Sequence, residues 1–178
     1  MNFPVLTSSR LVLREHCLSD KNDYYRLYSN IEAIRYYGRL PINSIREAEL
    51  EIKSWHTRFA KCETIKWAVE IINGKKFIGN VGIKDITNCE HRGTISCIIS
   101  PEAWGYGYAQ EAIQSIMCYS FNVLKLHRLQ ALVDPKNERA MSLFRHLGFH
   151  LEAILRQYEL ENNAYIDIAL WSIINLKL

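Results

Sequence analysis

The sequence has few of the residues that mark disordered, fibrous or membrane-spanning chains. Its 178 residues include only eight glycines and four prolines, and 48% are hydrophobic, which excludes disorder and collagen-like repeats. The longest uncharged, apolar-leaning run, Ala112–Leu124, is shorter than the ~20 residues of a membrane-spanning helix. Residues 1–4 do not begin a secretory signal, because no basic patch is followed by an apolar block. We therefore expect a cytoplasmic protein with one domain over residues 1–178 and no membrane partner.

The chain also lacks a strong charge of one sign and the residue spacing of a metal site. The net charge is only +3, and Lys and Arg are scattered, so nucleic acid is not an expected partner. His146 and His150 are four residues apart, but Gly148 lies between them, so we expect no metal. The five cysteines form no CxxC pair and are expected to be reduced and largely buried: Cys17, Cys62, Cys89, Cys97 and Cys118.

Apolar side chains recur with regular spacing along most of the chain, which predicts a mixed α/β fold. The predicted strands are 10–14, 65–71, 77–83, 93–100, 129–133, 149–151 and 165–172, the second half-buried and the last with Ile166, Ile168 and Leu170 facing inward. The predicted helices begin at Ser19, at a Ser44–Glu47 capping box, at Gly107 and at Asn137, and Gly148 ends the last of them. An antiparallel meander is therefore expected first, followed by alternating strands and helices.

The segment from Ser100 to Ala112 is the one that carries chemistry. It joins a strand to a long helix, and its two glycines allow the backbone to turn sharply beside a ligand. The free amides of a helix N-terminus are a suitable seat for phosphate oxygens. The segment has neither the Gly-Lys-Ser/Thr of a Walker loop nor a complete GxGxxG. The alternative is a turn whose glycines only permit tight packing.

Five segments together resemble the GNAT superfamily of acyl-CoA-dependent N-acetyltransferases, and specifically its RimJ/RimL-type branch. They are TSSRLVLRE, IGNVGI, ISPEAWGYGYAQEAI, HRLQALVDPKNERAMSLFRHLGF and LRQYELENNAYIDIALWSI, and they span nearly the whole chain in the family's order. The resemblance implies a GNAT-like α/β fold. Such a fold has a central, mostly antiparallel twisted sheet of about seven strands, splayed in the middle and flanked by about four helices.

The resemblance implies acetyl-CoA as the donor. The family's phosphate-loop consensus falls on Trp104, Gly105, Tyr106, Gly107, Tyr108 and Ala109, with Trp104 where Gln or Arg is usual. In the family, the strand before the loop, here Ile98 and Ile99, pairs with the pantetheine arm through its main chain. Asn137 matches a residue that approaches the cofactor arm, although it is also expected as a plain helix cap. Arg139 is expected either on a phosphate or in solvent.

The resemblance leaves the proton-transfer groups open. The positions of the family's usual proton-donating hydroxyls are Phe144 and Ala140, and the usual strand acid is Thr94, while Ser142 points to another face. The candidates for the catalytic roles are Asn137 and Glu111, and Glu111 has the alternative of a structural first-turn carboxylate. Weaker candidates for a base are Glu70, Asp85 and His91. Aromatic side chains that could line the acceptor pocket are Tyr36, Tyr37, Trp67 and Tyr165. Arg156 and Asp167 are expected to form a structural ion pair.

An amine acceptor is the remaining partner. The expected acceptor is a protein or peptide N-terminal α-amine, as in several members of the branch. The alternatives are a small amine, such as a polyamine, amino sugar or drug, and a non-catalytic acyl-CoA-binding module. The resemblance also leaves a homodimer open.

Overall fold

The computed structural model of the chain describes residues 2–87, 90–161 and 163–176. Within these residues the chain forms eight strands and five α-helices. The strands are β1 (Leu6–Thr7), β2 (Leu11–Arg14), β3 (Thr64–Ile71), β4 (Lys76–Thr87), β5 (Arg92–Ile99), β6 (Arg128–Val133), β7 (His150–Glu161) and β8 (Ala164–Ile174). The helices are α1 (Lys21–Ser29), α2 (Ile31–Ile34), α3 (Ile45–Ala60), α4 (Tyr108–Asn122) and α5 (Glu138–His146).

All eight strands form one sheet in the order β1-β2-β3-β4-β5-β6-β8-β7. Every neighbouring pair is antiparallel except β5 and β6, which are parallel. This topology confirms the expected α/β class with a mostly antiparallel sheet. The structure has one strand more than the expected seven, because two-residue β1 was not predicted, and five α-helices where four were expected.

Helices cover both faces of the sheet and create two apolar clusters. Residues of α4 and α5, including Ile113, Ile116 and Phe144, pack on one face. Residues of α1 and α3 pack on the other face, where they enclose Ile98 of β5. Strand β3 was predicted to be half-buried, but this second layer also buries its Lys66 and Ala68, so the prediction is wrong.

Local capping signals fix most helix ends. The Ser44 hydroxyl accepts a hydrogen bond from the Glu47 amide, and the Glu47 carboxylate accepts from the amide of Asn43. Gly148 follows α5 with φ of 83°, as expected for the residue that ends a helix. The predicted cap at Ser19 is wrong. A 3-10 turn spans Leu18–Asp20 there, and Asp20 directly precedes α1.

The C-terminal hairpin differs most from the prediction. Strand β7 has 12 residues where only three were expected, because a bulge around Gln157, at φ of 50°, interrupts its alternation. In β8 the buried residues are Ile168, Ala169, Trp171 and Ser172, whereas Ile166 and Leu170 are only half-buried, so the predicted inward register of the strand is only partly right. No Arg156–Asp167 ion pair exists in the described chain, because the Asp167 carboxylate instead accepts from the Gln157 amide.

The cysteines are more exposed than expected. Cys17, Cys62 and Cys118 are exposed, Cys97 is half-buried, and all four are free thiols. Cys89 lies outside the described residues. None of the helices within residues 2–87, 90–161 and 163–176 has the length and apolar content that a membrane crossing requires.

Candidate functional site

The candidate site is a gap between β5 and β6. The two strands pair over three residues each, from Arg92 opposite Arg128 to Thr94 opposite Gln130. The Gln130 side chain donates a hydrogen bond to the Thr94 hydroxyl at 3.2 Å, which closes the narrow end. Beyond this point the strands separate, so residues 95–99 of β5 have no β6 partner. Main-chain groups without a sheet partner are available to an extended ligand.

The loop from Trp104 to Ala109 follows β5 and lies at the open end of this gap. A 3-10 turn, Pro101–Ala103, leads into the loop, and Gly105 and Gly107 have φ of 82° and 78°. A Cβ on Gly105 would meet no atom within 4 Å, and one on Gly107 would meet only the Arg10 guanidinium at 3.6 Å. Helix α4 begins at Tyr108 without a side-chain cap, so its first amides are free to bind an anion.

Trp104 connects this loop to the end of β5 and to the first turn of α5. Its indole N–H donates to the carbonyl of Ile99 at 2.7 Å, and the Arg139 guanidinium lies 4.6 Å from the indole ring. The end of β5, the loop and the first turn of α5 are thus held together. This places Arg139 beside the loop, and its predicted phosphate contact stays a prediction.

Asn137 caps α5, as the sequence predicts. Its side-chain oxygen accepts a hydrogen bond from the Ala140 amide at 3.1 Å. Its side-chain NH₂ group makes no hydrogen bond within the described part of the chain. The cap therefore leaves a donor free near the end of β6, and the predicted contact of Asn137 with the cofactor arm stays a prediction.

Glu111 is occupied by contacts to the β1–β2 turn. Its carboxylate accepts hydrogen bonds from the hydroxyls of Ser8 and Ser9 and from the amide and guanidinium of Arg10. Burial opposes ionisation, but these donors outweigh it and lower the pKa of Glu111 to about 2. The contacts give the carboxylate a structural role, and its predicted catalytic role stays a prediction.

The two positions on α5 where the family usually has a proton-donating hydroxyl hold Phe144 and Ala140, which cannot donate a proton. The nearby Ser142 lies on another side of the helix. Phe144 is buried against Phe149, with ring centroids 5.1 Å apart. The Ser142 hydroxyl lies 3.3 Å from the His146 ring on the outer side of α5. Among the other candidates, the Glu70 carboxylate is bound by Arg14, and Trp67 lies on the α4 face, where its indole donates to the carbonyl of Pro4.

A cluster of polar side chains lies on the α1–α3 face, against β3 and β4, and of its members the sequence singled out only Tyr37, as a pocket wall. The Lys66 ammonium donates to the Tyr37 hydroxyl at 2.6 Å. The Tyr37 and Tyr28 hydroxyls are 3.5 Å apart, and the Asn80 side chain donates to Tyr28 at 3.1 Å. We call Tyr28, Tyr37, Lys66 and Asn80 the tyrosine–lysine cluster. Its members are far apart in sequence, so no local pattern could have predicted it.

Three carboxylates lie where the C-terminal hairpin crosses the open end of the gap. A Cβ on Gly38, in the segment after α2, would lie 3.6 Å from a Glu159 carboxylate oxygen of β7. Burial, together with the charges of Asp134 and Glu159, raises the pKa of Glu161. None of the three carboxylates forms an ion pair with a described Lys or Arg. We call Asp134, Glu159 and Glu161 the acidic rim.

Metal ligands do not converge here. Within the described ranges, no three His, Cys, Asp or Glu side chains are placed to hold a metal ion. The candidate site thus consists of free main-chain groups on β5, the uncapped start of α4, the tyrosine–lysine cluster and the acidic rim.

Known proteins share this sequence pattern and geometry. The acetyltransferase (GNAT) domain family matches residues 10–150. The chain is 33% identical to the uncharacterized N-acetyltransferase YoaA of Bacillus subtilis over 172 residues, which cover 97% of each protein. It is 31% identical to the spermidine N(1)-acetyltransferase of Escherichia coli over 141 residues, covering 79% of this chain and 73% of that protein.

A solved structure matches nearly the whole fold. The spermidine N-acetyltransferase of Vibrio cholerae, in complex with CoA and spermine, superposes with a TM-score of 0.83 at 28% sequence identity. The match covers 94% of this chain and 96% of that one. The donor is therefore acetyl-CoA and the acceptor an amine. The chain belongs to the GNAT family of acetyltransferases and is an acyltransferase.

Proposed function

We propose that this enzyme acetylates a primary amine of a small molecule that carries more than one positive charge, the class that includes polyamines. The observation that carries the proposal is the acidic rim, formed by Asp134, Glu159 and Glu161 at the open end of the gap. No described Lys or Arg forms an ion pair with these three carboxylates, although the charge of Lys136 acts on Glu161 at longer range. A ligand that brings two or more ammonium groups would therefore be stabilised there. The similarity to two spermidine acetyltransferases supports the same acceptor class.

We further propose how the donor lies in the gap. The diphosphate is held by main-chain amides of the loop, from Gly105, Tyr106, Gly107, Tyr108 and Ala109, and the pantetheine arm runs along Ile98 and Ile99. The predicted Trp104 amide is not one of these donors, because it donates to the carbonyl of Pro101 at 3.1 Å. Asn137 donates to the arm from the end of β6, and Arg139 adds a positive charge beside the loop. The free amides of α4 and the unpaired stretch of β5 support this arrangement.

The reaction requires a neutral amine beside the thioester. A primary alkyl amine with a pKa of about 10.4 is only about 0.1% neutral at pH 7.4, which is a deficit of about 4 kcal/mol. An N-terminal α-amine with a pKa of about 7.7–8.0 has a deficit below about 1 kcal/mol. A polyamine substrate therefore needs a stronger proton-accepting group in the enzyme than an α-amine substrate needs.

The competing proposal is a protein or peptide N-terminal α-amine, together with membership of the RimJ/RimL branch. It rests on the five sequence segments quoted above. Such an acceptor carries one charge at its reacting end and does not require the acidic rim. An acyl-CoA-binding module without turnover is the second alternative, since the usual acid positions hold Phe144 and Ala140.

A panel of amines separates these proposals. We expect thiol release from acetyl-CoA to be fastest with tri- and tetra-amines, slower with a matched monoamine, and slowest with peptides. The Glu159→Gln and Glu161→Gln variants should each raise KM for a triamine about fivefold, as for the loss of a surface ion pair near 1 kcal/mol. Neither variant should change KM for the monoamine, and added salt should shrink the difference.

The matched control is Glu63→Gln. Glu63 is an exposed carboxylate that directly precedes β3, at the edge of the sheet away from the open end of the gap. It should leave KM for every amine unchanged. Equal rates for monoamine and triamine would contradict the polycationic acceptor, and preference for peptides would favour the α-amine. Acetyl-CoA binding without thiol release for any amine would favour the inert module.

Three expectations remain predictions at the level of the whole protein. We propose that residues 1–178 form one N-acetyltransferase domain, which the single continuous sheet supports. Cytoplasmic location and a homodimer also stay predictions.

A further inference from the structure

Lys66 is a buried cation that forms no close ion pair among the described residues, although its charge acts at longer range on the Glu51 carboxylate. The residue is 5% exposed, and within the described chain its ammonium forms no ion pair with Asp or Glu. Its neighbours are the Tyr37 hydroxyl at 2.6 Å and the rings of Trp55 and Tyr37, whose centroids lie 5.2 and 5.3 Å away. Burying an ammonium ion costs free energy, and a nearby negative charge lowers that cost. The ammonium therefore stabilises the ionised form of the phenol that accepts its hydrogen bond.

The Lys66 side chain extends across β4 towards the gap. Lys66 pairs with Gly82 of β4, and Gly82 pairs with Ser96 of β5. A Cβ on Gly82 would lie 3.0 Å from the Lys66 Cδ, so the side chain lies directly over this glycine. The lysine therefore leads from β3 towards the stretch of β5 that has no β6 partner.

Tyr37 lies over the neighbouring row of the sheet. Its hydroxyl is 3.5 Å from that of Tyr28, which accepts from Asn80, and Asn80 pairs with Ile98 of β5. Burial opposes ionisation of both phenols, but the charge and hydrogen bond of Lys66 outweigh it at Tyr37 and lower the pKa of that phenol. Burial raises the pKa of Tyr28 well above its usual value. Tyr37 is thus the phenol of the cluster that loses its proton more readily than Tyr28.

We propose that Tyr37 is the proton acceptor of the acetyl transfer, and that Lys66 is the positioning residue that stabilises its phenolate. The amine nitrogen attacks the thioester carbonyl, so that the C–N bond forms and the C–S bond breaks with its electron pair on sulfur. Two protons leave nitrogen in the reaction. The ammonium proton passes through the phenolate of Tyr37 to solvent before attack, which regenerates the phenolate, and the proton released after attack then moves to the same oxygen. The resulting phenol later releases this proton to the thiolate or to solvent, which regenerates the phenolate and yields free thiol.

This inference rests on acetyl transfer to an amine and not on which amine is accepted. It supplies the proton acceptor that a polyamine requires, from residues outside the family positions that hold Thr94, Phe144 and Ala140. Lys66, Tyr28, Tyr24 and Cys97 act on Tyr37 itself. The titratable and charged groups that lie near these residues or near the adjacent Gly38 are His16, Arg39, Glu51 and Glu159. Arg39 is bound by Glu51, so Lys66 is the cation that acts on Tyr37 directly.

The test is the pH dependence of kcat at saturating amine, measured for the full chain with any amine that the panel shows to be acetylated. In the wild type, kcat should rise with pH as Tyr37 loses its proton. In Tyr37→Phe this ionisation should disappear, and kcat should fall by about 10²-fold, a typical effect of losing a general base. In Lys66→Met the same ionisation should move to higher pH, with the alkaline kcat largely kept.

The matched control is Tyr24→Phe, which removes a buried hydroxyl that donates to Glu51 on the same face of the sheet. It should leave the ionisation in place. Thermal stabilisation by acetyl-CoA checks that each variant folds and binds the donor. An absorbance titration of phenolate, as the difference between wild type and Tyr37→Phe, should show one tyrosine that ionises below the others in the folded protein.

The inference is overturned if Tyr37→Phe folds and keeps the wild-type pH profile, or if Lys66→Met loses activity at every pH without moving the ionisation. The titration requires no amine substrate. A polyamine that is not acetylated therefore counts against the proposed acceptor, whereas an unshifted phenol counts against the role of Tyr37.

Discussion

Glu111 illustrates how one carboxylate can join two distant parts of the chain. It lies in the first turn of α4, where the helix dipole favours a negative charge, and it binds donors from residues 8–10. The Arg10 guanidinium also donates to the carbonyl of Tyr106 and lies 4.7 Å from the Tyr108 ring. The carboxylate therefore holds the loop in place from behind, which leaves the loop amides free on the other side.

We predict that Glu111→Gln lowers the free energy of unfolding by about 2 kcal/mol at pH 7, because hydrogen bonds to a charged group are lost. The pKa of Glu111 is about 2 in the folded protein and near 4.3 in the unfolded chain. A lowered folded pKa stabilises the protein above about pH 4.3, and this stabilisation is lost as pH falls towards about 2. Denaturant unfolding at several pH values measures the difference.

The control for Glu111→Gln is Glu102→Gln, which removes an exposed carboxylate paired with Lys76. Its effect should stay below about 1 kcal/mol, as for other surface pairs. Equal effects for the two variants would contradict the anchoring role of Glu111.

At the scale of elements, the loop and the start of α4 are the part that the sequence predicts best. Two glycines before a long apolar stripe predict a turn and a helix N-terminus, and the structure has both. Trp104 was expected only as a replacement for Gln or Arg. Its hydrogen bond to Ile99 could not be predicted, since it depends on how the loop folds back on β5.

We predict that Gly107→Ala lowers the affinity for acetyl-CoA by about tenfold or more, equivalent to at least about 1.4 kcal/mol. Its added methyl group would lie at the N-terminus of α4, where the phosphates are proposed to approach the backbone. The control is Gly74→Ala in the β3–β4 turn, where φ is 90° and a Cβ would meet nothing within 4 Å. Both variants have similar backbone strain, so titration calorimetry isolates the binding effect.

A loss of affinity in both glycine variants, or in neither, would contradict the proposed position of the phosphates. Equal losses of thermal stability without acetyl-CoA are expected from the strain alone, about 1 kcal/mol each.

Other elements show where local signals fail. Ser44, Asn137 and Gly148 act through neighbours within four residues, so the ends of α3 and α5 were predictable. Strand β7 was not, because it lies at the sheet edge, its bulge breaks the alternation, and several of its apolar side chains remain exposed. The exposure of a side chain on an edge strand is set by the whole sheet and not by its local sequence.

At the scale of the whole molecule, the sheet consists of two parts that meet at three residue pairs of β5 and β6. The gap between them follows from this short pairing, and no single segment of sequence encodes it. The acidic rim and the tyrosine–lysine cluster have the same origin. Lys66 and Tyr37 are 29 residues apart, and Gly38 meets Glu159 only because the C-terminal hairpin crosses the gap.

This arrangement explains which functional residues the sequence could supply. The family segments point to the donor seat, since a continuous loop and strand form it. The proposed acceptor side is assembled from α1, the segment after α2, β3, β4 and β7, and its chemistry depends on contacts between them. Tyr37 was expected at most as a pocket wall for this reason.

The most direct measurement is a crystal structure of the chain with bound coenzyme A. We predict that the diphosphate accepts hydrogen bonds from main-chain amides of residues Gly105 to Ala109, and that the sulfur lies in the gap beside residues 96–98, on the side of Tyr37. A diphosphate bound elsewhere, or a sulfur outside the gap between β5 and β6, would contradict both the proposed donor seat and the mechanism built on it.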